Sequence, residues 1–284
     1  MPPRSTPTAR QQRLGIELRK LRERSGMTAH EAGALLGIDQ ARMSNIESGR
    51  VGISAARVHT LTCNYDCPDE KLIDALAAMA SNGRARTWWQ EYRGVLPAGL
   101  LDLAELEHHS VRMRTAQTAS LPGLLQTNAH ARVVFGQGIP ALPPHEVEHR
   151  TSWRIKRQAV LHRPRPAPYT AIIHEAALRM QFGGRAVTVE QLNHIINASE
   201  REDITVLVIP FSAGEFPGAG QTIFYSEGPV SQLDTVQLDQ SHGLVFLNAE
   251  AQLDKYRVLL DRMQEIALDE SESRDFIHRI VTNL

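Results

Sequence analysis

Gly26-Met27-Thr28-Ala29-His30-Glu31-Ala32-Gly33-Ala34-Leu35-Leu36-Gly37-Ile38-Asp39-Gln40-Ala41-Arg42-Met43-Ser44-Asn45-Ile46-Glu47-Ser48-Gly49-Arg50 is the stretch whose reading decides the fold of the N-terminal part. Thr28 followed by Glu31 is a capping box, in which hydroxyl and carboxylate each bond a free backbone N–H at a helix start. A short helix is predicted from about Ala29 to Leu36, with Ala32, Leu35 and Leu36 as its apolar stripe. Gly37 supplies the left-handed residue that ends it. Asp39 is an N-cap for a second helix, about Gln40 to Glu47, with Met43 and Ile46 facing the first and Gly49 as its stop. Outward from that second helix point Gln40, Ala41, Arg42, Ser44 and Asn45, small and mostly uncharged. Such a set suits the edges of bases: Gln and Asn can pair with adenine, Arg with guanine or phosphate, and Ala with the thymine methyl.

Working outward, 284 residues leave room for two domains. The net charge is −1, so no global basic field calls for nucleic acid. Its distribution is uneven. Residues 1 to 65 carry ten Arg or Lys against five Asp or Glu, a net +5 that leaves −6 for the remainder. A basic head on an acidic body fits a DNA-binding domain joined to a domain with another task.

Residues 1–9 are Pro-rich and read as a disordered arm carrying Arg4. A helix is expected from about Arg10 to Arg24, with Leu14, Leu18 and Leu21 inward and Arg13, Arg19, Lys20, Arg22 and Arg24 on a basic surface. Ser54 caps a further helix ending near Cys63, and another runs from about Asp69 to Ser81. Val58, Leu61, Leu72 and Leu76 would complete the core of a five-helix head, closed by Asn82-Gly83. The expected DNA-binding domain therefore spans 10–83.

The spacing of Gly26, Gly37 and Gly49 on two short helices resembles the helix-turn-helix of lambda-repressor-like, Xre-type regulators over residues 13 to 66. The resemblance implies a structural ion pair between Arg22 and Glu47. It implies base contacts by Gln40, Ala41 and Asn45, and places Thr28, Arg42, Ser44 and Arg50 near phosphate, aided by both helix N-termini. It also implies a homodimer on double-stranded DNA, with half-sites about one helical turn apart. Ala29 departs from the pattern, standing where a Gln often contacts phosphate.

Trp88-Trp89-Gln90-Glu91-Tyr92 opens a different region, 84–284, with the tryptophans expected to anchor its start or its seam with the head. A helix is predicted from about Asp102 to Gln117, with Leu103, Leu106, Ser110 and Met113 on one face, and another begins near Asn128. Tyr169 to His174 reads as a strand, and Thr188 with Gln191 as a capping box opening a helix to about Ser199. Ile204 to Ile209 is a β-branched run expected as a buried strand. Thr222 to Tyr225, Thr235 to Leu238 and Leu244 to Leu247 are further strands. Two terminal helices carry Leu253, Tyr256, Leu260, Met263 and Ala267, then Phe276, Ile277, Ile280 and Val281. The expected fold is thus a mainly α five-helix head and a larger α+β body.

Several stretches of this body match a second pattern. They are Trp88-Trp89, Leu106-Glu107, Pro122-Gly123-Leu124-Leu125-Gln126-Thr127, Arg154-x-x-Arg157-Gln158-x-x-Leu161, Glu175-x-x-Leu178, Glu190-Gln191-Leu192 and Val206-x-Val208-x-Pro210-Phe211. Together they resemble the C-terminal domain of a large actinobacterial family of Xre-type, antitoxin-like transcriptional regulators. The resemblance implies control through a small, toxin-like protein partner bound to residues 84–284. An alternative keeps the regulator and makes the body a small-molecule sensor, with a pocket near the sheet and the Gly214 to Gly220 loop.

His145-Glu146-Val147-Glu148-His149 fits the H-E-x-x-H pattern of zinc peptidases, in which two histidines on one helical face hold zinc and the glutamate activates water. Pro143 and Pro144 place it in an exposed first turn, and Glu148 adds an unusual second acid. The acidic start of an ordinary helix is the expectation, and a zinc hydrolase fused to a DNA-binding head the weaker reading. His59, Cys63 and Cys67 form no closed ligand set, and the cysteines are expected as free thiols in a reducing cytoplasm. No Gly-x-Ser-x-Gly or phosphate loop is present. The chain is expected to be no enzyme, without metal or cofactor. No signal peptide opens it and no apolar run approaches the about 20 residues of a membrane span, so a soluble cytoplasmic protein without membrane contact is expected.

Overall fold

The computed structural model describes residues 6–81, 87–218, 220–240 and 243–284. Arg4, the Asn82-Gly83 closure and Ala219 lie outside them. The chain divides into two compact units, one of residues 1–91 with Pro229–Leu233, the other of 92–228 with 234–284.

The first unit is helical. α1 (Ala9–Arg24) starts on Thr8, which forms a capping box with Gln11, so order begins inside the stretch expected as an arm. α2 (Ala29–Leu35), α3 (Gln40–Glu47), α4 (Ala55–Asn64) and α5 (Glu70–Ser81) follow. Their core holds Leu14, Leu18, Leu21, Ala32, Met43, Ile46, Val58, Leu61, Leu72 and Leu76. Leu233, which no local pattern assigns to this unit, joins them. Leu35, expected in the apolar stripe of α2, is 38% exposed. The face that α2 turns inward is Ala29, Ala32, Gly33 and Leu36, at spacing i, i+3, i+4, i+7. Leu35 sits at the flank of that stripe.

The second unit is a six-stranded mixed sheet with helices. Its elements are α6 (Ala98–His109), β1 (Arg112–Gln117), α7 (Asn128–Gly136), α8 (Pro144–Arg157), β2 (Tyr169–His174), α9 (Glu175–Arg179), α10 (Arg185–Ala198), β3 (Ile204–Ile209), β4 (Ile223–Glu227), β5 (Thr235–Gln240), β6 (Gly243–Leu247), α11 (Glu250–Ile266) and α12 (Glu270–Asn283). Strand order is β3-β2-β1-β4-β5-β6. The first three strands are parallel and the rest antiparallel to their neighbours. Ile172, Leu207, Ile223, Tyr225, Val236 and Leu238 pack with Leu253, Tyr256, Leu260 and Met263 of α11 on one side of the sheet.

Two predicted helix boundaries fail. The helix expected over Asp102–Gln117 ends at His109, and Arg112–Gln117 becomes β1, paired on both edges. Ser110 and Met113 keep a helical spacing with Leu103 and Leu106 by coincidence. No two-residue alternation marks 112–117, five of whose six residues are buried, and the pairing with β2 and β4 decides the strand. The helix expected to open at Thr188 starts at Arg185, and the Thr188 hydroxyl donates to the Gly184 carbonyl from inside it. β3 is buried as expected, although it lies at the edge of the sheet. Its free edge is closed locally: Leu268 N–H donates to the Val208 carbonyl, and the Ser273 hydroxyl accepts from Val208 N–H, both at 2.9 Å. A bare edge of Ile and Val would invite foreign strands, so this covering is protective.

Candidate nucleic-acid interface

Local chemistry builds the turn between α2 and α3. The Thr28 N–H donates to Glu31 Oε2 at 2.7 Å, and the Glu31 N–H donates back to Thr28 Oγ1 at 3.2 Å. These bonds hold the Glu31 carboxyl below its usual range. The Thr28 hydroxyl donates to the same carboxylate, so its proton is already used. Gly33 is forced by proximity, since a Cβ there would lie 2.7 Å from the Ile38 carbonyl oxygen. Gly37 takes a φ of 62°, the left-handed value that closes the helix. Asp39 then caps α3 by accepting from Arg42 N–H at 2.7 Å.

α3 is seated from behind. A Cβ on Gly15 of α1 would stand 2.4 Å from the Glu47 carbonyl oxygen and 2.7 Å from that of Ile46, so α1 and the end of α3 meet backbone to backbone. Arg22 grips Glu47 with two bonds, of 2.6 and 3.0 Å, and its third nitrogen donates to the Met27 carbonyl at 2.7 Å. That hydrogen bonding raises the Arg22 pKa further. The ion pair implied by the Xre resemblance is therefore formed, and it fastens the start of α2 to the end of α3. Beside it, burial and the Glu47 charge raise the Tyr65 phenol.

What this seating leaves outward is a coherent surface. Gln40, Ala41, Arg42, Ser44 and Arg50 are exposed, Asn45 is half-buried, and Met43, Ile46 and Glu47 are buried. Among the described residues, the side chains of Gln40, Arg42, Ser44, Asn45 and Arg50 make no hydrogen bond or ion pair. Thr28 is also exposed, but spent on its cap. The residues singled out in the sequence thus share the neighbourhood of one short helix. Gly15 was not among them; its only signal was an isolated glycine inside a helical pattern.

Elsewhere, His145 and His149 are exposed in the first turns of α8, with ring centroids 6.3 Å apart. Glu148 is held by Arg132 at 2.7 and 3.0 Å, and Glu146 lies 4.0 Å from Arg150. Cys63 is an exposed and Cys67 a half-buried free thiol. Among the described residues, no three His, Cys, Asp or Glu side chains are grouped to hold a metal ion.

The shared stretches of the second unit interlock. Glu107 pairs with Arg157, both buried. Gln126 donates to the Leu121 carbonyl and accepts from Arg154, and its carbonyl accepts from Gln158. Gln191 donates to the Leu125 carbonyl and accepts from Thr127 N–H, both at 2.7 Å. The Pro122–Thr127 stretch is therefore a knot tying α8 and α10 together, with α6 fastened to α8 by Glu107 and Arg157.

A capped helix pair, braced by α1, whose second member leaves its outward hydrogen-bonding side chains unspent is the architecture of a helix-turn-helix DNA-binding regulator. Residues 13–76 match the family described as a helix-turn-helix domain. Residues 100–279 match the family described as a domain of unknown function, DUF5753, and the chain belongs to it. Neither the curated proteins nor the solved structures contain a match to the chain. No helix among the described residues is long and apolar enough to cross a membrane.

Proposed function

We propose that the protein is a sequence-specific transcription regulator of the lambda-repressor-like, Xre type, cytoplasmic, acting as a homodimer on double-stranded DNA. The observation that carries this reading is the unspent polar surface of α3. Gln40, Ala41 and Asn45 read bases, while Arg42, Ser44, Arg50 and the Thr28 end of α2 lie along phosphate. Gln40→Ala or Asn45→Ala should cost about 1–3 kcal/mol on a cognate duplex and relax specificity at one position. Operators selected from random duplex DNA, followed by footprinting of the variants, test this. Unchanged affinity and footprint in both variants would sink the assignment of α3.

The second unit, on this reading, controls the head through a small toxin-like protein partner, the antitoxin-like arrangement that its shared stretches imply. Co-purification of the untagged protein with a stoichiometric small protein tests that control. Control by a small ligand is the second reading, favoured by one place. His174 is bracketed by the rings of Phe211 and Phe216, with centroids 5.2 and 5.0 Å away, at the mouth of the glycine-rich loop. Neither reading includes catalysis. The His145–His149 pair lies exposed with Glu148 tied to Arg132, and stoichiometric zinc that disappears in His149→Ala would reverse that view.

A further inference from the structure

Buried side-chain polar atoms without a hydrogen-bond partner gather on α7 and α8. They are both ring nitrogens of His130, Nε of Arg150, Oγ1 of Thr151, Nε1 of Trp153 and Nε of Arg154. His130 and Thr151 are each 1% exposed, and the two arginines are half-buried one turn apart on α8. Arg154 has no ion-pair partner among the described residues. Its Nη1 donates to Gln126 and its guanidinium lies over Phe135, 4.6 Å from the centroid. Gly123 makes the bed for it, since a Cβ there would stand 3.2 Å from Nη1. The His130 ring packs edge-on to Phe182 at 5.8 Å and feels the Arg154 charge, which together with burial lowers it to about 4 and keeps it neutral.

The chemistry of these atoms is one-sided. Guanidinium Nε–H groups donate and cannot accept, so they cannot satisfy one another. Nearby acceptors are committed: Gln126 Oε1 to Arg154, the Gln126 carbonyl to Gln158, and the Glu148 carboxylate to Arg132. Buried donors without acceptors are costly unless something rich in acceptors joins them. Arg154 is held in place by Gln126 and Phe135, whereas the half-buried Arg150 makes only a 4.0 Å approach to Glu146, so its head can swing to a ligand held at Arg154.

We infer that the α7–α8 pair is a receptor for a small oxyanion, phosphate or carboxylate, clasped by Arg150 and Arg154 with hydrogen bonds from Thr151 and His130. This site is separate from the glycine-rich loop, and it stands on the second unit alone, so it holds whether or not α3 reads DNA.

The test is thermal melting of the full-length protein in inorganic phosphate or succinate, against sodium chloride at matched ionic strength. At about ten times its Kd, a bound anion should raise the melting temperature by about 3–5 °C, saturably. Arg150→Gln and Arg154→Gln should each abolish the anion-specific rise. Arg150→Gln decides alone if Arg154→Gln does not fold, because Arg150 makes only a 4.0 Å approach to Glu146. Succinate acting without phosphate, or the reverse, names the ligand class and supports the site. No rise beyond chloride with either anion, or a rise that survives in Arg150→Gln, overturns it. DNA binding read on the same preparations keeps this outcome distinct from that of the α3 assignment.

Discussion

Gly15→Ala adds one methyl group at the place where α1 and α3 touch backbone to backbone. The new Cβ would stand 2.4 Å from the Glu47 carbonyl oxygen, 2.7 Å from the Glu47 carbonyl carbon and 2.7 Å from the Ile46 oxygen. Ordinary contact begins near 3.4 Å, so the helices must part by about 1 Å, and no flexible side chain is available to absorb the shift. Alanine is the better helix former by about 1 kcal/mol, which opposes the clash. Overpacking against backbone costs about 1–3 kcal/mol or more, and here the shift also stretches the Arg22–Glu47 grip across the same seam. A net destabilisation of about 1–2 kcal/mol is expected, with weakened DNA binding because α3 loses its brace. Urea denaturation with hydrogen exchange of the α1 and α3 amides reads the effect on the first unit. Gly52→Ala is the control. Its added Cβ meets nothing within 4 Å, so it should stay within about 0.5 kcal/mol of the parent. If Gly15→Ala is as stable as the parent and Gly52→Ala is no better, the close approach of α1 to α3 is wrong.

Glu47→Ala should cost about 2–4 kcal/mol, because it leaves the largely buried Arg22 guanidinium with the Met27 carbonyl and a looser 3.7 Å approach to the half-exposed Glu23. Arg22→Met with Glu47→Leu should recover most of that in denaturant melts, and a single-variant loss below about 1 kcal/mol would mean a solvent-screened pair. His130 predicts an acid dependence. Its folded pKa of about 4 lies below the ordinary 6.5, so the unfolded chain binds the extra proton between those values. Stability is therefore complete above pH 6.5 and falls as pH drops to about 4, by at most about 3 kcal/mol. His194, also lowered by burial, adds in the same direction. His130→Leu should flatten that slope; an unchanged slope in pH-dependent melting would place the ring in solvent. Arg42→Ala should weaken all duplexes alike and reduce the salt slope of binding by about 1, as loss of one phosphate contact requires.

The head was legible because its rules are local. Thr28 with Glu31, Gly37 and Asp39 each act within three or four residues, and each stands where its spacing put it. Leu35 escaped because a two-turn helix cannot by itself say which of two adjacent leucines faces inward. β1 escaped for a longer-range reason. Arg114 is 6% exposed inside the sheet, and the group that neutralises it, Asp261, comes from α11 at the far end of the chain. No window around residues 112–117 contains that partner, so two arginines there read as a helix surface. The same holds for His130 and Gly15, whose constraints come from Phe182 and Glu47.

Spent and unspent hydrogen-bonding groups separate what builds this molecule from what it offers to others. The residues that carry the resemblance of the second unit, Glu107, Gln126, Arg157, Gln158 and Gln191, spend their polar groups inside that unit, on one another, on Arg154 and on the backbone of Leu121, Leu125 and Thr127. Their presence specifies an architecture and places no ligand. On α3 the reverse holds, since Glu47 is consumed by Arg22 while Gln40, Arg42, Ser44 and Asn45 keep their capacity unspent. Arg154 stands between the two cases. It belongs to the knot through Gln126, yet its Nε remains without a partner beside those of Arg150 and His130. An arginine needed only to hold Pro122–Thr127 in place would do so through one nitrogen; the Asp239 and Glu107 charges act on it from a distance without bonding it, and its buried Nε–H is left without an acceptor. The unspent remainder of that side chain is the reason to look for an effector at α7 and α8 rather than at the sheet edge.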